Sequence, residues 1–198
     1  MGKPGVRVRR LLKRVAQGIA LAIVFPLAAA AGFGRFYQPY LLFGQAIALF
    51  PGLAGSYIRA AFYRLTLREC SQETTIWFGT YFSDREARVD RNISIGSFCI
   101  IGRATIGEGT QISSNVQITS GRHEHRHDAE GRLLEGKPDE VSIGSHCWIG
   151  ASATIMASVG ARSIIGAGAV VVKSIQPDAV AVGNPARVIK TTENAQRQ

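Results

Sequence analysis

Three of the chain's four histidines, His123, His125 and His127, alternate within a short segment that also carries Arg122, Asp128, Glu130 and Glu135. An unperturbed imidazole changes charge at about pH 6.5, so it can take a hydroxyl proton at neutral pH. Residues two apart in extended backbone point the same way, so the same three side chains would also suit a metal ion. A neighbouring carboxylate could orient a base, and the sequence does not choose among Asp128, Glu130 and Glu135. Proton transfer, metal ligation and plain solvent exposure are the open readings of this segment.

The elements around it are more definite. The segment interrupts a six-residue repeat that runs from Ile95 to Val172. Aliphatic residues recur at Ile95, Ile101, Ile106, Ile112 and Ile118, then at Ile143, Ile149, Ile155, Val159, Ile165 and Val171, usually followed by Gly or another small residue. So short a period fits a β-helix, in which each hexad forms one flat side of a coil and its aliphatic residue points inward. The expected role of the following glycine is to turn the corner with φ > 0. Weaker hexads at Trp77, Ser83 and Val89 fit a first, capping coil. Cys99 and Cys147 occupy equivalent small inward positions (GSFCI, GSHCW), so buried free thiols are expected, in keeping with a reducing compartment. His146 falls at a corner and is expected at the surface.

The 198 residues carry a net charge of +9 with no matching nucleic-acid motif. The basic residues gather at the N-terminus (Lys3, Arg7, Arg9, Arg10, Lys13, Arg14) and around the repeats, an arrangement suited to an anionic membrane surface and a polyphosphate ligand. Hydrophobic content is 46%, and its excess lies before residue 62. Val15 to Gly34 and Tyr40 to Ile58 are uncharged stretches, each long enough for a hydrocarbon core of roughly 30 Å. Arg59, Arg64 and Arg68 flank them on one side and the N-terminal cluster on the other, so the positive-inside rule sets both outer ends in the cytoplasm. A membrane hairpin, spanning or re-entrant, is expected. A signal peptide and surface-lying amphipathic helices are the competing readings.

The hexads, the loop beginning SGRH, then IGSHCWIG, IGAGAVVVKSI and AVGNPARVIK, in this order, resemble the hexapeptide-repeat acyltransferases, in their maltose/galactoside acetyltransferase-like and exopolysaccharide O-acetyltransferase branches. The resemblance covers about residues 77–190. It implies an all-β, left-handed parallel β-helix, a homotrimer with sites between subunits, and acetyl-CoA as donor. The domain organisation expected is residues 1–70 as a helical membrane-anchoring segment, 71–174 as the acyltransferase domain with loop 122–140, and 175–198 as a terminal turn and tail.

The resemblance also assigns roles. His123 falls at the family's catalytic position and would be the general base. Arg122, His125, His127 and Trp148 become acceptor-site candidates. Ala151 and Ala167 would let the pantetheine arm approach the backbone, and Lys173, Arg187 and Lys190 would meet the donor's phosphates. No metal is expected, because the metal histidines of the similar gamma-class carbonic anhydrases sit on coil faces. Two departures concern the donor: the segment from Ile155 to Ile165 is shorter than the family's pattern, and Val172 replaces a polar residue. The expectation is an O-acetyltransferase acting on a sugar hydroxyl of a glycan or lipid-linked precursor, at the inner membrane and facing the cytoplasm. N-acetylation of a nucleotide-linked amino sugar, a non-catalytic β-helical scaffold and a metal-dependent hydratase are the alternatives.

Overall fold

The computed structural model describes the backbone of residues 4–119, 125–127, 130–135 and 139–191. The chain opens with three helices, α1 (Pro4–Ala30), α2 (Tyr37–Ala48) and α3 (Gly52–Thr66). The second apolar stretch is divided between α2 and α3. It breaks at Leu49–Pro51, where Pro51 holds extended backbone (φ −78, ψ 166) before α3 begins and disfavours helix in the residue preceding it. At 1.5 Å per residue, 12-residue α2 and 15-residue α3 reach only about 18 and 22 Å, short of a bilayer core. Among the described residues one helix is long and apolar enough to cross a membrane, α1, over Leu11–Ala30. Its Ala20, Val24 and Ala28 are buried, while Leu11, Leu12, Val15, Ile19 and Ile23 stay exposed.

α2 and α3 instead close one end of the coil. Arg59, expected among the flanking solvent charges, is fully buried. Its guanidinium donates from Nε to the Ile76 carbonyl at 3.0 Å and from Nη1 to the carbonyls of Ile47, Ala48 and Phe50 at 3.3, 3.2 and 2.7 Å. Those three carbonyls lie at the end of α2, where a helix leaves acceptors unmet. Tyr63 packs its ring edge-on to Phe82 with centroids 4.7 Å apart, and its hydroxyl accepts the Phe82 N–H at 3.1 Å.

The rest is a three-sided parallel coil. Face one stacks β1 (Glu69–Cys70), β4 (Arg88–Val89), β7 (Ala104–Ile106) and β12 (Val141–Ile143), and single bridges at Val159 and Ile175 extend it. Face two stacks β2 (Thr75–Ile76), β5 (Ser94–Ile95), β8 (Gln111–Ile112), β13 (Trp148–Ile149), β15 (Ile164–Ile165) and β17 (Ala179–Val182), with β18 (Arg187–Thr191) antiparallel at its end. Face three stacks β3 (Tyr81–Phe82), β6 (Ile100–Ile101), β9 (Gln117–Ile118), β14 (Thr154–Ile155) and β16 (Val170–Val171). β10 (His125–His127) and β11 (Leu133–Glu135) form a separate antiparallel pair in the loop. The inward residues are in register from coil to coil, as in Ile76–Ile95–Ile112–Ile149–Ile165, and all are buried.

Three local expectations change. In the first coil the inward residues are Ile76 and Phe82, not Trp77 and Ser83, while Val89 is inward as expected. The coil begins at Glu69, and the expected C-terminal tail contains the β17–β18 hairpin. The glycine after each aliphatic residue has a different purpose from the one expected. Positive φ falls two residues later, at Phe98, Gly109, Asn115, His146, Ser152, Arg162 and Gly168. A Cβ on Gly144 or Gly150 would instead lie 2.4 or 2.5 Å from the backbone nitrogen of Ala161 or Ala167 on the next coil. These glycines permit close stacking.

Candidate active site

His123 and Arg122 lie outside the described residues, as do the side chains of His125 and His127. The backbone of β10 pairs His125 with Glu135 and His127 with Leu133 in a two-stranded antiparallel ribbon. Glu130 forms an exposed ion pair with Arg132 at 3.2 Å. Among the described residues no three His, Cys, Asp or Glu side chains gather as a metal site.

The loop leaves face three after Ile118 and returns to face one at Val141. Glu140 pins the return, accepting from Arg88 Nη1 at 3.4 Å and from the Thr105 hydroxyl. On the same edge, Arg103 Nε donates to Asp84 at 3.0 Å. Sequence reasoning missed these anchors. Their signal appears only after the faces are assigned, because Arg88 and Thr105 are neighbours in register across face one.

The donor candidates divide between edges. Ala151 and Ala167 directly follow the glycines that end β13 and β15, and both are exposed on the edge between faces two and three. The Ala151 carbonyl accepts the Gly168 N–H at 2.8 Å, which places these corners one above the other. A Cβ at Gly168 would meet nothing within 4 Å, so that corner is open. Trp148 stands on face two, 60% exposed, between Gln111 and Ile164 on the adjoining coils. Arg187 and Lys190 belong to β18, and Arg187 is exposed. Lys173 is exposed too, but it follows β16 and so sits on the edge from which the loop emerges. At about 3.3 Å per residue, face three separates the two edges by roughly 15–20 Å.

The thiols are structural. Cys99 and Cys147 are buried, with Sγ 3.2 Å from the Ser113 carbonyl and 3.1 Å from the Gly160 carbonyl on the next coil. Burial holds both thiols above their usual range, so neither is an activated nucleophile. His146 is exposed, as expected, beside Gly109.

The sequence profile of the hexapeptide repeat of succinyl-transferase matches residues 140–173. Galactoside O-acetyltransferase of Escherichia coli is 36% identical over 88 residues, covering 43% of this chain and 43% of that protein. The crystal structure of a maltose O-acetyltransferase from Clostridium difficile superposes with a TM-score of 0.59 at 26% identity, over 79% of this chain and 88% of that one. A galactoside acetyltransferase solved in complex with coenzyme A shares the fold, with a TM-score of 0.50 at 23% identity over 83% of this chain and 86% of that one. The chain spans less than half the length of the curated relatives it matches. In its six-residue repeat and its coil, the β-helical part of the chain is similar to the hexapeptide-repeat acetyltransferases.

Proposed function

We propose that this protein is an acetyl-CoA-dependent O-acetyltransferase that acts on a sugar hydroxyl of a glycan or lipid-linked glycan precursor. The observation that carries the reading is the stacked pair of exposed alanines, Ala151 and Ala167, on an open coil edge. Small side chains there leave the backbone accessible to an extended pantetheine arm. Arg187 and Lys190 beyond this edge, and Lys173 across face three, are cations of the kind that pair with phosphates. The likeness to proteins named for maltose and galactoside supports a sugar acceptor.

In this reading His123 takes the proton of the sugar hydroxyl as its oxygen attacks the thioester carbonyl. Backbone N–H groups at a coil corner hold the tetrahedral oxyanion. The C–S bond then breaks, the acetyl ester remains on the sugar, and the proton held by His123 passes to the departing sulfur. The loop and the alanine edge leave the prism at different corners. A second copy, placed edge to edge in a homotrimer, would bring one chain's loop to the other's alanines. The exposed apolar face of α1 supports attachment to the cytoplasmic membrane, with the coil on the cytoplasmic side.

Release of free thiol from acetyl-CoA, measured with hydroxyl and then amino sugars, tests the reaction. The hydroxyl series should turn over, and His123→Ala should cost roughly 10²–10⁴-fold in rate. Turnover confined to amino sugars would replace the proposal with N-acetylation. Biological function intact in His123→Ala would favour a scaffold.

A further inference from the structure

Acetyl transfer leaves unused a cavity of about 230 Å³ enclosed by α1, α3 and the first coil. Two cations, Lys13 and Arg64, stand in its wall, and among the described residues no carboxylate lines it. Gln17 Nε2 donates to the Gln72 carbonyl at 2.9 Å, tying α1 to the coil at the cavity wall. The remaining wall is partly hydrocarbon, with Leu21 from α1 and Leu53 and Ala60 from α3. Tyr57 lines this cavity and also a second hollow of about 330 Å³ on the same two helices, walled by apolar residues such as Ile19, Ile23 and Ile58.

Each feature narrows the ligand. Paired cations without a counter-carboxylate select an anion, and Lys and Arg suit phosphate oxygens. A free inorganic anion would leave the leucine and alanine walls unused. Lys13 lies near the basic end of α1, whose exposed Leu11, Leu12, Val15, Ile19 and Ile23 offer an apolar face; with that face along a membrane surface, Lys13 stands at the depth of a lipid headgroup. We propose that this cavity binds the phosphate of an anionic membrane lipid between Lys13 and Arg64, with the lipid's first hydrocarbon segment against Leu21 and Leu53. The site is separate from the acetyl-transfer edges, because Gln72, Thr74 and Thr75 in its wall belong to the first coil and the histidine loop leaves after the third. It does not depend on the chain's having acetyltransferase activity. Its effect would be to lock α1 against α3 and hold the coil at a fixed height above the lipid.

Native mass spectrometry of the full chain in neutral detergent, titrated with phosphatidic acid, phosphatidylcholine or inorganic phosphate, tests the site. One phosphatidic acid should be retained per chain, in preference to phosphatidylcholine. The double variant Lys13→Gln/Arg64→Gln should bind it roughly 30-fold more weakly, at about fivefold per cation. Arg14→Gln/Arg35→Gln, which removes the same charge outside the cavity wall, should change binding less than about threefold if charge alone is not the cause. Ala60→Leu keeps every charge but fills the cavity, and should weaken binding with the helical circular dichroism intact. Equal losses in both double variants would overturn the proposal in favour of diffuse attraction. Unchanged binding in Ala60→Leu would overturn it, as would competition by inorganic phosphate as strong as by the lipid.

Discussion

The buried guanidinium of Arg59 donates to the carbonyl of Ile76, the first inward residue of face two, at 3.0 Å. The same side chain holds three carbonyls at the end of α2, so one residue joins both short helices to the base of the coil. Arg59→Met should lower stability by about 3 kcal/mol and the Tm by roughly 6–12 °C, read by thermal unfolding. Arg68→Met removes only an exposed pair with Glu86 and should cost under about 1 kcal/mol. Equal shifts in the two variants would contradict the assigned role.

The two classes of glycine make opposite predictions. Gly150→Asn must push a Cβ toward Ala167 N, 2.5 Å away, and should cost about 1–3 kcal/mol by overpacking. Gly168→Asn places a residue that tolerates left-handed backbone at φ +67 in open space and should be close to neutral. Urea midpoints for the two proteins check the order. A reversed order would restore the corner-turning role to Gly150.

The thiols offer a pH test. Burial raises the Cys70 thiol from about 9 to about 12, and it raises Cys99 and Cys147 as well. The folded state therefore holds these protons after the unfolded chain has released its own. Their contribution is complete below about pH 9 and is lost as pH rises toward about 12. Native protein should resist iodoacetamide at pH 8 and react at all three cysteines in denaturant. Rapid native labelling of Cys99 or Cys147 would contradict the coil interior described here.

Much of the coil was readable in the chain because an inward aliphatic must recur wherever one coil stacks on another. Ile95, Ile112, Ile149 and Ile165 announce face two for that reason. The first coil was misread by one residue at Trp77 and Ser83, since the large outward Trp77 imitates an inward residue and Ser83 follows it at hexad spacing. Pro51 marks the break between α2 and α3 in the sequence itself, but the packing of both helices on the end of the coil has no such mark. Arg59 left no trace, because its acceptors are backbone carbonyls, which any residue supplies. Ala151 and Ala167 share an edge because they are one coil apart, which hexad counting alone predicts. The loop anchors are the opposite case, since Glu140 meets Arg88 across 52 residues.

Glu140 also separates loop placement from coil stability. Its contacts with Arg88 and Thr105 are at the surface, so Glu140→Ala should change stability by no more than about 1 kcal/mol. If the pin positions the histidine loop, kcat should fall about tenfold or more, since a small misplacement of a catalytic group is costly. Parallel urea curves and thiol-release kinetics would show it. Loss of both in proportion would mean a purely structural role.

The most direct test mixes two defective chains. His123→Ala removes the proposed base, and Ala151→Trp blocks the proposed donor edge, so each protein alone should be inactive in thiol release. If the site lies between copies, coexpressed chains should pair an intact loop with an intact edge at about one quarter of the junctions in a random trimer. Recovery of roughly a quarter of wild-type activity is the result predicted. A mixture as inactive as its parents, beside an active wild type, would place both halves in one chain and contradict the shared site.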